Sequence, residues 1–267
     1  MAGMGLRGIL FDLDGVIYLG EQLIDGAVEA LEWVRSRQIP HLFVTNTTSR
    51  PRSALCSKLA GMGIAVDADR ILSPPVAAVH WLQNNTDGPV ALFIPDATQA
   101  EFVSLPLWNG DTARAAGSVV VGDLGESWDF PRLNQAFRLL MQQPAPRLVA
   151  LGMTRYWKTP RGLQLDAGPF VAALQYASGV EPVVTGKPAP AFFHSGAEAL
   201  GIRQEQVLMI GDDIRSDVGG AQQAGLKGLL VQTGKYQPAD LQGDIQPDAV
   251  LASVAELPDW WRQHVDA

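Results

Sequence analysis

Short apolar runs alternate with helix-period stretches at both ends of this chain, and this alternation restricts the possible folds more than any other feature. The N-terminal part contains GILFDLDG and HLFVTN, each followed by a predicted helix, over residues 24–37 and 49–62. The C-terminal part contains QVLMIGDD, a predicted helix over 216–224, and then LKGLLVQTG and DAVLAS. Strands that alternate with helices form parallel sheets with crossover helices. We therefore expect the two ends to form one α/β domain with a doubly wound parallel sheet.

The middle of the chain shows the same alternation. VALFIP, SVVVGD and RLVALG predict strands, and PRLNQAFRLLMQQ and GPFVAALQYA predict amphipathic helices. A chain of 267 residues with 47% hydrophobic residues can fill two cores, because single cores seldom grow beyond about 250 to 300 residues. We therefore predict a discontinuous core domain from residues 1–75 and 182–267, and a smaller inserted α/β domain over 76–181.

Charge and cysteine content argue against several classes of function. The formal net charge is −8, so the chain has no general attraction to nucleic acid or to anionic membranes. The single cysteine, Cys56, cannot form an internal disulfide and suits a reducing compartment. The apolar run before Asp12 is too short for a secretory signal or a membrane span, so we expect a cytoplasmic protein. The four histidines are not spaced as metal ligands.

Four polar clusters follow predicted strands and contain residue types suited to catalysis. They are Phe11–Gly15, Thr45–Ser49, Gly186–Pro188 and Ile210–Asp217. Parallel sheets bind ligands beyond the carboxyl ends of their strands, so residues far apart in sequence can meet at that edge. Taken singly, each cluster also fits an ordinary role as turn residues, a helix N-cap or solvated acids.

Three alternative binding sites fail on spacing. A calcium-binding loop that begins at Asp12 would need a glutamate where Leu23 stands. A P-loop ending at Lys187 would need a glycine where Glu181 stands and a hydroxyl residue where Pro188 stands. No G-x-G-x-x-G pattern follows a predicted strand, so the sequence does not indicate a dinucleotide site.

In their order, the four clusters resemble the four signature motifs of the haloacid dehalogenase-like hydrolase superfamily. The inserted block resembles the large α/β cap of subfamily IIA, which the para-nitrophenyl-phosphatase-like enzymes share. Further segments resemble the branch of the phospholysine phosphohistidine inorganic pyrophosphate phosphatases: NQAFRLLM, TRYWK, LQLDAGPFVAALQYA, VVTGKPAPAFF, MIGDDIRSDVGGAQ and TGKY. The resemblance covers nearly the whole chain and implies a Rossmann-like core with an inserted cap. Members of this branch need not share a physiological substrate.

The resemblance implies a phosphatase mechanism that uses two aspartates. Asp12 would attack phosphorus and form an aspartyl-phosphate, while Asp14 would protonate the leaving alcohol and then take a proton from water. Mg²⁺ would be bound by Asp12, the backbone carbonyl of Asp14 and Asp212, with Asp217 in the surrounding shell. The role of Asp213 stays open.

The resemblance also assigns the contacts to the phosphate group. Thr45 and Asn46 would hold phosphoryl oxygens. Lys187 would neutralise the nucleophile and the transferring phosphoryl group. These motifs contact only the phosphoryl centre, so they predict a small phosphorylated substrate without naming its leaving group.

We expect the inserted domain to select the substrate. Segment 155–158 offers both charge and aromatic stacking, so Arg155 and Tyr156 are candidates for contact with the leaving group. Packing of Tyr156 in the cap or in a dimer interface explains that residue equally well. Caps of this class also make a homodimer possible. The alternative functions are a phosphotransferase that uses the same intermediate and a non-catalytic phosphate-binding protein.

Overall fold

The computed structural model describes residues 4–111, 114–159 and 161–266. Its strands, in chain order, are β1 (Gly8–Asp12), β2 (Tyr18–Leu19), β3 (Gln22–Leu23), β4 (His41–Val44), β5 (Ile71–Leu72), β6 (Val90–Phe93), β7 (Ser118–Val121), β8 (Arg147–Ala150), β9 (Tyr156–Thr159), β10 (Gly162–Leu165), β11 (Pro182–Val184), β12 (Val207–Gly211), β13 (Lys227–Val231) and β14 (Ala249–Leu251). Its α-helices are α1 (Ala27–Ser36), α2 (Arg52–Gly61), α3 (Pro74–Asn85), α4 (Asp96–Gln99), α5 (Phe130–Leu140), α6 (Ala167–Ser178), α7 (Pro190–Leu200), α8 (Gly220–Gln223) and α9 (Leu257–His264).

The chain divides into two compact units. Unit 1 contains Met1–Thr45, Leu55–Leu72 and Lys187–Ala267, and unit 2 contains Asn46–Ala54 and Ser73–Gly186. The predicted domains differ from these units at their edges. In particular, β11 pairs with β8 of unit 2, whereas the prediction grouped residues 182–186 with the core. An apolar run such as PVV does not reveal which sheet it will join, because sheet membership depends on long-range pairing.

Unit 1 is built around a six-stranded parallel sheet in the order β14-β13-β12-β1-β4-β5. The chain extends the sheet from β1 through β4 to β5 and later adds β12 on the other side of β1. The β1/β12 boundary is therefore a topological switch point, where ligands bind in open α/β sheets. The predicted α/β class with a doubly wound parallel core sheet is confirmed.

Both faces of this sheet are covered by helices. Ile9 and Phe11 of β1 are fully buried in a core to which α1, α2 and α9 contribute. Leu10 faces the opposite way, because side chains alternate along a strand, and lies against Gly196 of α7. Burial on both faces explains why the strands read as continuous apolar runs. The apolar runs of β4 and β12 end directly before the polar residues Thr45 and Asp212.

Unit 2 has a four-stranded parallel sheet in the order β11-β8-β7-β6. One face packs against α5 and α6, and the other packs against α3. Val119 and Val120 of β7 contribute to these two different cores, as strand alternation requires. The two-stranded antiparallel hairpin of β9 and β10 also belongs to this unit.

The predicted helices exist, with shifted ends. Helix α1 begins at Ala27 rather than at residue 24, directly after Gly26 with its φ of 78°. Helix α2 begins at Arg52 rather than at residue 49, because Pro51 disfavours helical backbone at the preceding residue. The helix predicted over 216–224 begins earlier, with a π-helical turn over Ile214–Gly219. Among the described residues, no helix combines the length and hydrophobicity that crossing a bilayer requires.

Candidate active site

Three of the four predicted clusters lie at the carboxyl ends of strands in the unit 1 sheet. Asp12 is the last residue of β1, Thr45 directly follows β4, and Asp212 directly follows β12. Lys187 differs, because it follows β11 of unit 2 and is the first residue of the returning unit 1 chain. All four of these side chains are buried.

Asp12, Asp212 and Asp217 form a buried carboxylate cluster. Each offers an oxygen atom, and these three atoms lie within 4.8 Å of one another. The β1/β12 pairing explains part of this arrangement, because it places the ends of the two central strands side by side. Asp217 reaches the same place from the π-helical turn that follows Asp213.

Lys187 is the cation that two of these carboxylates, Asp12 and Asp217, share. Its Nζ donates hydrogen bonds to Asp12 Oδ1 over 2.7 Å and to Asp217 Oδ1 over 2.6 Å. Burial by itself would lower the pKa of Lys187, but Asp12 and Asp217 together raise it above its usual value. Lys187 is therefore held as an ammonium ion between the two carboxylates.

The carboxylates have raised pKa values because burial outweighs the groups that stabilise their ionised forms, mainly Lys187 for Asp12 and Asp217 and the N–H of Lys235 for Asp212. Burial raises the pKa of Asp12 even though the Lys187 ammonium lowers it. Burial also raises the pKa of Asp212 to about 6 and that of Asp217 to about 6. Three buried acids therefore lie close to one buried ammonium, which bonds two of them, and the site favours a further positive charge.

Asp212 offers an oxygen atom suited to a metal ion. Its Oδ2 accepts a hydrogen bond from the backbone N–H of Lys235 over 2.7 Å. Its Oδ1 is buried and has no hydrogen-bond partner among the described residues. A buried carboxylate oxygen is costly without a partner, and hard cations such as Mg²⁺ prefer oxygen ligands. The residues present therefore fit a divalent cation held by oxygen atoms.

Asp213 and Asp217 support the loop that carries Asp212. Asp213 is a helix N-cap, since its Oδ1 accepts hydrogen bonds from the N–H groups of Arg215 and Ser216. Asp217 Oδ2 accepts a hydrogen bond from the N–H of Asp213 over 3.1 Å. The question that the sequence left open about Asp213 thus has a structural answer.

The remaining predicted contacts to substrate differ in exposure, since Thr45 is buried and Asp14 and Asn46 are exposed. Asp14 is exposed, and its Oδ1 lies 3.4 Å from the N–H of Gly20. The N–H of Thr45 donates to the carbonyl of Leu72 over 3.1 Å. Asn46 is exposed and is grouped with unit 2. The roles assigned to Asp14, Thr45 and Asn46 stay predictions.

The two cap candidates lie at the start of the β9–β10 hairpin. Arg155 and Tyr156 are exposed, and the Arg155 guanidinium lies 6.0 Å from the centroid of the Tyr156 ring. The side chains of residues 157 and 158 lie outside the described part of the chain. The role of Arg155 and Tyr156 in substrate selection also stays a prediction.

Sequence reasoning missed the loop Thr233–Lys235 as part of the site. It named this segment only within TGKY, one of the segments that carry the family resemblance. The structure places this loop after β13 and against Asp212. The sequence signal that could have identified this loop was a glycine and a lysine beyond the carboxyl end of a predicted parallel strand.

Comparison with known proteins gives consistent matches over the chain. A haloacid dehalogenase-like hydrolase (HAD) family model matches residues 9–105, and a HAD-hydrolase-like model matches residues 184–257. The chain is 37% identical to the phospholysine phosphohistidine inorganic pyrophosphate phosphatase of Homo sapiens, over 98% of this chain and 96% of that protein. It is 38% identical to haloacid dehalogenase-like hydrolase domain-containing protein 2 of Bos taurus, over 88% of this chain and 87% of that protein.

A solved structure matches the fold over nearly its whole length. The 4-nitrophenylphosphatase of Thermotoga maritima superposes with a TM-score of 0.84 and 26% sequence identity, covering 96% of this chain and 97% of that one. The relative from Homo sapiens and this structural neighbour are therefore both named as phosphatases.

Proposed function

The chain belongs to the haloacid dehalogenase-like hydrolases and is a phosphoric monoester hydrolase, and from this premise we propose that it is a Mg²⁺-dependent phosphatase whose nucleophile is Asp12. The observation that carries the proposal is the cluster of Asp12, Asp212 and Asp217 around the ammonium of Lys187. This cluster combines a carboxylate nucleophile, a fixed positive charge and oxygen ligands for a cation within one buried site.

Phosphate monoesters react slowly because an anionic nucleophile must approach an anionic phosphoryl group. In the first proposed step, an Asp12 carboxylate oxygen attacks phosphorus, and the bond to the leaving oxygen breaks. Asp14 donates its proton to that oxygen, so an alcohol leaves and an aspartyl-phosphate remains on Asp12. In the second step, Asp14 takes a proton from water, the water oxygen attacks phosphorus, and phosphate leaves Asp12 as a free carboxylate.

Charge neutralisation accompanies both steps. The Lys187 ammonium holds Asp12 in place and offsets the charge of the transferring phosphoryl group. Thr45 and Asn46 are proposed to donate hydrogen bonds to phosphoryl oxygens. Asp12, Asp212 and the backbone carbonyl of Asp14 would hold Mg²⁺, which when bound supplies charge neutralisation at the phosphoryl oxygens.

Asp217 is proposed to orient the residues that bind the metal and not to bind the metal directly. One of its oxygens accepts from Lys187 and the other from the N–H of Asp213, so both already have protein partners. Such groups orient the residues that bind a metal directly.

The substrate is proposed to be a small phosphorylated molecule that unit 2 selects. The relative from Homo sapiens is named for phospholysine, phosphohistidine and inorganic pyrophosphate, so these compounds belong in a first screen. The site described above contacts only the phosphoryl group, and sugar phosphates, nucleotides and cofactor phosphates therefore belong there as well.

The test is a phosphate-release screen over these classes with the purified chain, in Mg²⁺ and in excess chelator. We expect release of inorganic phosphate in Mg²⁺ and little release after chelation. Full activity in chelator would contradict the metal requirement. Transfer to an added acceptor without release into water would indicate a phosphotransferase, and binding of Mg²⁺ and phosphate without turnover would indicate a non-catalytic protein.

We also propose a cytoplasmic location, no nucleic acid partner, no membrane partner and a possible homodimer. The single cysteine and the net charge of −8 support the first three statements. Light scattering on the purified chain measures the mass in solution and therefore decides between monomer and dimer.

A further inference from the structure

We propose that the loop Thr233–Lys235, together with Gly15, positions the carboxylate of Asp212 so that Oδ1 is presented to a metal ion. None of the four signature clusters contains this loop, although it contacts the Asp212 side chain. The inference rests on the magnesium-dependent phosphatase proposed above, and it assigns a positioning role to a loop outside those motifs and to Gly15 within the first of them.

One part of this arrangement is a hydrogen bond to a single carboxylate oxygen. The backbone N–H of Lys235 donates to Asp212 Oδ2 over 2.7 Å. Asp212 Oδ1 is buried and has no hydrogen-bond partner within the described residues. The two oxygen atoms of Asp212 therefore differ: the loop bonds Oδ2, and Oδ1 is left for a ligand.

The second part is a close approach of two glycines to the same carboxylate. Gly15 and Gly234 have φ values of 93° and 61°, a backbone conformation that favours glycine. A Cβ atom built on either residue would overlap Asp212 Oδ2. The carboxylate thus occupies space that only two glycines leave open, and it cannot rotate freely about its last torsion.

A third contact ties the two glycine-containing segments together. The hydroxyl of Thr233 donates a hydrogen bond to the carbonyl of Gly15. This bond joins the loop after β13 to the loop after β1, which also carries the proposed acid Asp14. The loop therefore holds Asp212 against the strand that carries the nucleophile.

The orientation of Asp212 matters because Mg²⁺ demands near-ideal octahedral geometry, whereas Ca²⁺ accepts looser coordination. Groups that orient a metal ligand typically account for about 10- to 100-fold in metal affinity. A loosened Asp212 should therefore weaken Mg²⁺ binding more than Ca²⁺ binding. A general loss of stability would weaken the binding of both ions alike.

The side chain of Lys235 is not part of this arrangement. Its Nζ lies 3.6 Å from Asp213 Oδ2, and the side chain is 71% exposed. Lys235→Met keeps the backbone N–H that bonds Asp212 and removes only the charge. We expect this variant to bind Mg²⁺ at least as tightly as the wild type, because a nearby positive charge repels the ion.

The test compares Gly234→Ala with Gly201→Ala by titration calorimetry of the metal-free full chain with Mg²⁺ and with Ca²⁺. Gly201 has a φ of 65°, and a Cβ atom there would meet nothing within 4 Å. The two substitutions therefore share the backbone strain and differ in the contacts with Asp212 and Gly15, the two residues that the proposed arrangement joins. We expect Mg²⁺ binding about 10- to 100-fold weaker in Gly234→Ala, a smaller change for Ca²⁺, and neither change in Gly201→Ala.

Thermal unfolding in chelator checks that each variant is folded. If Gly234→Ala does not fold, Thr233→Val replaces it, since valine keeps the shape of threonine and removes the hydroxyl bonded to Gly15. Weaker Mg²⁺ binding with a lower Mg²⁺-to-Ca²⁺ preference is again expected. A folded Gly234→Ala or Thr233→Val protein with wild-type Mg²⁺ affinity would overturn this inference but not the proposed function. A loss of Mg²⁺ affinity in Lys235→Met as large as that in Gly234→Ala would have the same consequence. A wild-type chain that binds no Mg²⁺ would contradict the proposed function as well.

Discussion

Lys187 Nζ lies 2.7 Å from Asp12 Oδ1, although 175 positions separate the two residues in the chain. Both side chains are buried, and the same ammonium also bonds Asp217. Burial raises the pKa of Asp12, and Lys187 is the main group that opposes this shift. The ammonium of Lys187 therefore favours the ionised form of Asp12, the proposed nucleophile.

Replacement of Lys187 by methionine should impair both catalysis and stability. Loss of one fixed charge of this kind typically costs about 10² to 10³ in turnover, so phosphate release should fall by at least that factor. Removal of one partner from a buried ion pair typically costs about 3 to 5 kcal/mol, which chemical denaturation in chelator would measure.

Lys227→Met is the matched control, because Lys227 pairs with Asp248 over 2.8 Å but is 45% exposed. Its cost should stay below about 1 kcal/mol, with unchanged turnover. Wild-type phosphate release by Lys187→Met would show that the buried ammonium has no part in the reaction.

Asp12→Asn and Asp14→Asn should fail in different ways. Asp12→Asn removes the nucleophile, so turnover should stop for every substrate and no phosphoenzyme should form. Asp14→Asn keeps the nucleophile but loses acid–base catalysis, typically worth about 10² to 10⁴ in rate. With an activated aryl phosphate, its first step should suffer less than its second, and phosphoenzyme should accumulate.

Intact-protein mass spectrometry after rapid acid quench measures the added phosphoryl group in these two variants. A phosphorylated Asp12→Asn protein, or an Asp14→Asn protein that hydrolyses alkyl phosphates at the wild-type rate, would show that the two roles are assigned wrongly.

Stability of the metal-free chain should depend on pH through Asp212 and Asp217. Burial raises the pKa of each from the ordinary value of 3.8 to about 6. The folded state therefore binds more protons than the unfolded state between these values, so this contribution is fully present below about pH 4 and is lost as pH rises through 6. Mg²⁺ binds the ionised form, so its stabilising effect should grow over the same range.

Thermal unfolding with Mg²⁺ and with chelator, at several values between pH 4.5 and 8, measures this linkage. The increase in melting temperature caused by Mg²⁺ should be small near pH 5 and larger above pH 7. An Mg²⁺-induced increase that is the same at every pH would contradict the assignment of these carboxylates to the metal site.

Arg155→Ala and Tyr156→Ala should change the ranking of substrates rather than the chemistry common to all of them. The structure places both side chains at the surface of unit 2, where they are exposed. A panel of phosphate monoesters with charged, aromatic and aliphatic leaving groups measures the ranking through kcat/KM. Tyr176→Ala is the control, because Tyr176 is 93% exposed on α6 of the same unit. An unchanged ranking in both variants would leave Tyr156 with a packing role.

The sequence alone was sufficient for the features that depend on neighbouring residues. Apolar runs and helical periods predicted the strands and helices, and the first polar residue after a run located Asp12 and Asp212 at strand ends. The order of the four clusters identified the family, because each cluster is a short local pattern. The starts of α1 and α2 were displaced where Gly26 and Pro51 imposed their own backbone preferences.

Only the tertiary structure decided which of these residues meet. It placed Asp217 beside Lys187, paired β11 with β8 of unit 2, and brought Gly234 against Asp212. None of these contacts has a local signal, since each joins segments whose proximity follows from strand order and long-range pairing. A backbone N–H 23 positions away bonds one oxygen of Asp212 and leaves the other buried with no partner in the described part of the chain, and periodicity in a sequence carries no such information.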